Sequence, residues 1–160
     1  MVDLKLRENG RIILHDGVFL DTVTRLVAAR DACIELGEDV RLGLGSLINA
    51  GADVIVGRKT LFAGYCHIQS SEHRFADEIA ISDQGYEQSP IYIGEESWLG
   101  GNCFVGPGSR LGPGVVLGTK TTVLTGDIPA YSLMVGTPAR FVRSRRSPDL
   151  VSPKLPDDLG

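Results

Sequence analysis

Aromatic residues, histidine and cysteine are all scarce in this sequence, and no apolar run is long. The longest such runs fall far short of the roughly 20 residues that a membrane-spanning helix requires, which excludes a helical membrane span. The N-terminus, MVDLKLRENG, has no apolar core of the kind that marks a secretory signal. An excess of positive charge is also missing. The net charge is −4 and the isoelectric point about 5.3, which argues against a nucleic-acid partner, because phosphate binding needs a basic face. Cys33, Cys66 and Cys103 are odd in number and form neither a CxxC pair nor a zinc-binding spacing. Reduced thiols and a cytoplasmic location are therefore expected.

Glycine and the aliphatics are plentiful instead. Glycine contributes 20 of the 160 residues, well above its average usage of about 7%. Scarce aromatics with abundant aliphatics suit neither a long-helix protein nor a disordered one. They suit a repeat with tight turns and an aliphatic core.

That repeat is visible. From Ile93 the chain reads IGEESW, LGGNCF, VGPGSR, LGPGVV, LGTKTT, VLTGDI. Every sixth residue is aliphatic: Ile93, Leu99, Val105, Leu111, Leu117 and Val123. The next position is glycine in all but the last unit, and the fifth is small or modest (Ser97, Cys103, Ser109, Val115, Thr121, Asp127). The same register runs upstream through Leu36, Leu42 and Ile48. After two extra residues, Val54 and Ile55, it resumes at Val56, Phe62 and Ile68.

A period of six matches neither a helix nor a simply alternating strand. It predicts short strands joined by tight turns, each strand sending one aliphatic side chain inward. Three such units close a coil, so residues 18 apart stack: Ile93 over Leu111, Leu99 over Leu117. The expected fold is all-β, a parallel β-helix over residues 34–146. The repeated glycines serve either turns with φ > 0 or close approach of the backbone. Residues 1–33 hold apolar side chains without a clean period and are expected to be a lead-in segment or a degenerate first coil. Residues 147–160, with three prolines and no period, read as a flexible tail.

The register breaks once. Ile68 and Ile93 are 25 positions apart, about seven more than a coil of 18, so a loop over residues 73–90, HRFADEIAISDQGYEQSP, is expected to leave the cylinder. Loops carried on a rigid scaffold are where binding and catalytic groups concentrate. This one opens on Glu72 and His73.

The string SSEH…QGY…PIYIGEESWLGGN…GPGSRLGPGVVLG…TGDIPAYSLMVGTPARFVR resembles the sugar O-acetyltransferases of the galactoside/maltose acetyltransferase and polysaccharide O-acetyltransferase group. The likeness covers roughly residues 36–146, and the xenobiotic acetyltransferase branch shares the layout. It implies a left-handed winding, acetyl-CoA as cosubstrate, no required metal, and a homotrimer with active sites between subunits. It also implies His73 as the general base, some two dozen residues before the tryptophan of a WIG motif, here Trp98. A histidine with an ordinary pKa near 6.5 suits removal of a proton from a sugar hydroxyl as it attacks a thioester. Its ring needs an orienting partner, for which Glu72 and Asp83 are near in sequence. Backbone N–H groups around Gly100 and Gly101 are candidates for the oxyanion. His67, at the end of its hexapeptide, reads as structural or substrate-adjacent, and His15 as ordinary surface.

By position, the coenzyme would lie against Trp98, Gly101, Lys120, Thr125, Gly126, Arg140 and Arg143. Arginines suit its phosphates. Two departures stand out. Gly101 replaces the commoner serine, and Gly126 replaces the lysine of a T-K-D-[IV]-P string, with Lys120 as a substitute. Arg145 and Arg146 read as a solvated basic tail. The positions that line the sugar pocket of galactoside acetyltransferases are not matched, since Gly43 and Gly51 stand where polar residues are expected. Asn49, Asp53 and Glu72 are the candidates to contact an acceptor, and a sugar of a surface polysaccharide is a better expectation than a free galactoside. Three alternatives are weighed against this reading. A γ-class carbonic anhydrase needs three histidines around zinc, and this chain has only three in total, with His67 and His73 off one ladder. A non-catalytic scaffold has no use for His73 and Trp98. An N-acetyltransferase acting on a nucleotide-linked amino sugar usually carries an added domain for which there is no room.

Overall fold

The computed structural model describes residues 1–146; the tail expected over 147–160 lies outside the described residues. Three parallel sheets wrap one apolar core. The first stacks Asp3–Leu6, Arg25–Ala28, Leu47–Ala50, His67–Gln69, Phe104–Val105 and Thr122–Val123. The second stacks Arg11–Leu14, Cys33–Leu36, Val54–Val56, Ile91–Ile93, Ser109–Leu111 and Gly126–Ile128. The third stacks Phe19–Leu20, Arg41–Leu42, Leu61–Phe62, Trp98–Leu99, Val116–Leu117 and Ser132–Val135, and Arg140–Ser144 closes it antiparallel. The chain visits the sheets in turn, which makes a three-sided β-solenoid. Apart from one 3₁₀ turn at Ile81–Asp83, no helix is present among the described residues; none is long and apolar enough to cross a membrane.

The ladders follow the repeat. Ile93 pairs with Leu111 and Leu99 with Leu117, and Leu36, Leu42, Ile48, Val56, Phe62 and Ile68 are all buried. Burial of one aliphatic per strand from water is the main stabilising contribution, roughly 1.5–3 kcal/mol for each side chain. Fifth-position residues are buried too, and their hydroxyls are satisfied: Ser97 Oγ donates to the Gly94 carbonyl at 2.8 Å and Ser109 Oγ to that of Gly106 at 2.7 Å. The last unit departs from the pattern. Leu111 pairs with Ile128, only 17 positions on, so Ile128 turns inward and Asp127 stays exposed.

The glycines of the repeat serve close approach. A Cβ on Gly94 would fall 2.4 Å from Pro113 N in the next coil. The positive φ falls two positions later, at Glu96, Asn102, Gly108, Gly114 and Lys120, where the tight turn requires it.

Residues 1–33 contribute regular strands. Leu4 pairs with Leu26, and Ile12 with Ile34, each 22 positions apart. The coil shortens to 20 where Leu42 pairs with Phe62, and to 18 after the loop. The loop is longer than the 25-residue spacing suggests. Val56 pairs with Ile93 across 37 positions, so a single coil of 18 has absorbed about nineteen extra residues, all between the first and second sheets. The excursion also begins earlier than residue 73. Ser71–His73 already pairs antiparallel with Tyr86–Gln88, which makes a two-stranded arm with the 3₁₀ turn toward its tip.

Candidate active site

The arm projects from the edge between the first and second sheets and walls a cavity of about 740 Å³. Glu72, His73, Phe75, Tyr86, Glu87 and Gln88 line it from the arm; Pro107, Leu124 and Thr125 line it from the cylinder. The volume lies in the range of small-molecule and cofactor sites, about 300–1,000 Å³. His73 pairs directly with Tyr86 across the arm, and the two rings stack at 4.3 Å between centroids, tilted by 38°. Neither carboxylate expected near His73 bonds to its ring. Glu72 precedes it on the strand, opposite Glu87, and lines the same cavity without bonding the ring. Asp83 sits in the 3₁₀ turn, where its carboxylate accepts from Ser82 Oγ at 3.3 Å.

The other predicted residues fall into separate groups. Thr125 lines the cavity beside the arm, and together with Arg140 it lines an adjoining depression near the last coil. Gly126 has φ +99°, and a Cβ at this position would meet nothing within 4 Å, so the space is open but the backbone favours glycine over lysine. Arg143 is half-buried on the closing strand, opposite Leu133. Asn49 borders a smaller depression of about 170 Å³, with Arg30, Ser71 and Tyr86. Asp53 Oδ1 accepts the Cys33 N–H at 2.8 Å, which commits this carboxylate to a turn.

Trp98, Gly101 and Lys120 stand elsewhere. Trp98 is half-exposed on the outward surface of the third sheet, in a column with Leu61 and Val116. Gly101 and Lys120 occupy the edge between the third and first sheets, where the Lys120 N–H donates to the Gly101 carbonyl at 2.8 Å. The Gly100 N–H donates to the Leu117 carbonyl at 2.8 Å, whereas the Gly101 N–H makes no backbone hydrogen bond among the described residues. A serine side chain would fit at Gly101, whose Cβ would meet nothing nearer than 3.5 Å.

His67 lies on the outer column of the first sheet between Leu47 and Phe104, edge-on to the Phe104 ring at 5.5 Å. Burial holds its pKa below the ordinary value, and its Nε2 is buried without a partner. His15 bonds Glu35 at 2.8 Å. No three or more His, Cys, Asp or Glu side chains are grouped to hold a metal among the described residues. Two residues of the site escape a reading of the sequence. Tyr86 becomes visible only once the register of the arm is known, and Arg30, whose guanidinium lies 4.3 Å over the Tyr86 ring, comes from a turn two coils earlier.

A three-sided solenoid of hexapeptides whose coils are interrupted by a histidine-bearing arm defines a class, the hexapeptide-repeat proteins. Comparison with known proteins takes this further. No protein-family model matches the sequence. A Staphylococcus aureus protein named as an acetyltransferase, SACOL2570, is 31% identical over 163 residues, covering 94% of this chain and 77% of that protein. A Mycobacterium tuberculosis protein named as an acetyltransferase, Rv3034c, is 37% identical over 121 residues, covering 75% of this chain. The chain spans about 40% of the length of that relative. Escherichia coli WbbJ, named for O-acetyl transfer in lipopolysaccharide biosynthesis, is 27% identical over 129 residues, covering 79% of this chain and 65% of WbbJ. The chain belongs to the acetyltransferases of hexapeptide-repeat type.

Among the solved structures that share the fold are two acyltransferases. A maltose O-acetyltransferase from Clostridium difficile matches with TM-score 0.63 at 21% identity, covering 89% of this chain and 66% of that one. AntD, an N-acyltransferase from Bacillus cereus solved with dTDP-4-amino-4,6-dideoxyglucose and coenzyme A, matches with TM-score 0.77 at 14% identity, covering 91% and 79%.

Proposed function

We propose that this chain transfers an acetyl group from acetyl-CoA to a hydroxyl of a saccharide, with His73 as general base. The observation that carries the reading is the placement of His73 on an arm that walls a 740 Å³ cavity together with Thr125 of the cylinder. The imidazole takes the hydroxyl proton as the oxygen attacks the thioester carbonyl. As the tetrahedral intermediate collapses, the C–S bond breaks and the proton passes to the departing thiolate. The free N–H of Gly101 suits the oxyanion.

Within one chain the His73 arm and the group Trp98, Gly101 and Lys120 are on different sides of the cylinder, which supports a homotrimer whose sites combine the arm of one subunit with the third-sheet side of the next. The relatives' names support acetyl transfer, and the name of WbbJ supports a surface-polysaccharide acceptor. Three buried, unpaired cysteines support a reducing, cytoplasmic setting. The test is acetyl-CoA turnover, followed by thiol release, over a panel of saccharide acceptors. Wild type should show acceptor-dependent release, and His73→Ala should lose about 100-fold or more with coenzyme binding intact. Release unchanged by the mutation would overturn the base assignment and favour N-acetylation assisted by the substrate. Absence of coenzyme binding in both proteins would favour a scaffold.

A further inference from the structure

We propose that Arg30 and Tyr86 are positioning residues for the base: the guanidinium clamps the Tyr86 ring, and that ring sets the plane of the His73 imidazole. This rests on the reading of His73 as the general base. A two-stranded arm is marginally stable on its own, and His73 sits exposed at the end of one of its strands. Its ring makes no hydrogen bond to Glu72, Asp83 or any other described residue, so stacking on Tyr86 is the contact that orients it.

Tyr86 is in turn held from the cylinder. Arg30 lies over its ring at 4.3 Å, a distance at which the quadrupole of the aromatic face attracts a cation. The guanidinium has supports of its own. Glu8 lies 3.6 Å from Arg30 Nε. With the Gln88 amide oriented to satisfy its network, its oxygen accepts from Arg30 Nη1 at 3.2 Å and its nitrogen donates to the Gly51 carbonyl at 3.1 Å. A connected series therefore runs Glu8–Arg30–Tyr86–His73, with Gln88 as a second bolt. It fixes the catalytic ring to a rigid coil through residues that need not touch the reacting atoms.

The experiment compares Tyr86→Leu, Tyr86→Phe, Arg30→Ala and Arg30→Lys with wild type and with His73→Ala. It records kcat, KM for acetyl-CoA, thermal unfolding and the proton shifts of the His73 ring. Tyr86→Leu and Arg30→Ala should lower kcat about 10- to 100-fold, as misplacement of a reacting group does, with KM for acetyl-CoA and the unfolding temperature unchanged. Tyr86→Phe should keep the activity and Arg30→Lys recover much of it. The double variant Arg30→Ala/Tyr86→Leu should lose no more than Tyr86→Leu alone, since both act through one ring. The upfield ring-current shift of the His73 protons should vanish in Tyr86→Leu. Wild-type kcat in Tyr86→Leu while His73→Ala is inactive would overturn the positioning role and leave the base in place. Activity retained in His73→Ala would instead remove the base reading on which the proposal rests.

Discussion

His73 and Trp98 stand on different sides of the same cylinder: His73 on the arm at the edge between the first and second sheets, Trp98 on the outward surface of the third. A closed three-sided coil places that edge opposite that sheet. If both residues serve one site, they must come from two chains. Mixing His73→Ala subunits with Trp98→Ala subunits should then restore activity that neither variant has alone. Random assortment leaves about a quarter of the interfaces with both native residues. Turnover after co-refolding the two variants measures this, and the absence of any recovery would argue for a site within one chain.

The glycines of the repeat predict a sharp contrast in stability. Gly94→Ala drives a Cβ to 2.4 Å from Pro113 N, into backbone that cannot move without shifting a coil, whereas Gly101→Ala meets nothing nearer than 3.5 Å. Urea unfolding should show a loss of about 1–3 kcal/mol or more for the first, and a change within about 0.5 kcal/mol for the second.

Most of the cylinder is legible in the sequence because one aliphatic per strand is repeated at a fixed interval. Its first coil is harder to see, for a physical reason. Leu14, Leu20 and Leu26 keep the six-residue interval and pair with Leu36, Leu42 and Ile48, but His15, Asp21 and Val27 follow them where later units carry glycine. The coil is also 22 residues long, from Leu4 to Leu26, so its longer strands extend the sides without disturbing the stack and the hexapeptide signature is lost. The break in register locates the arm, yet the spacing from Ile68 to Ile93 understates its length. That spacing measures one side of the coil, and the ladder from Val56 to Ile93 measures the whole turn. Within the candidate site, His73 and Thr125 are recoverable from motifs. Tyr86 and Arg30 depend on the strand register of the arm and on which turn lies beneath it, and single-chain patterns carry neither.

His67 predicts a pH dependence of stability. Burial lowers its folded pKa below the ordinary 6.5. Between the two values the unfolded chain binds the additional proton, so acidification favours unfolding. The contribution of His67 is fully present above about pH 6.5 and is lost as pH falls through the depressed folded value. Urea midpoints measured from pH 7.5 down to pH 5 should decline more steeply for wild type than for His67→Leu, which has no ring to protonate. Parallel curves would mean that the ring finds a partner for its proton in the folded protein.

The thiols make the last prediction, and it bears on every assay based on thiol release. Cys33, Cys66 and Cys103 are all buried and unpaired. Cys66 Sγ lies 3.2 Å from the Gly100 carbonyl and Cys103 Sγ 3.1 Å from that of Gly118, stacked on the inner side of one edge of the cylinder. The hydrogen bond with Cys103, and then burial, push the Cys66 thiol above its ordinary range, while burial raises Cys33. Thiolate is the species that attacks a disulfide reagent, and it must also be reached by it. The hydrogen bond with Cys66 holds the Cys103 thiol below its ordinary range, so for Cys103 it is burial that keeps the reagent away. The native protein should therefore release almost no chromophore from such a reagent at pH 7.5 over the time of an assay, and three equivalents once unfolded in guanidinium. Rapid labelling of one thiol in the folded state would show that an edge of the cylinder opens, and Cys66→Ser and Cys103→Ser would identify which coil separates.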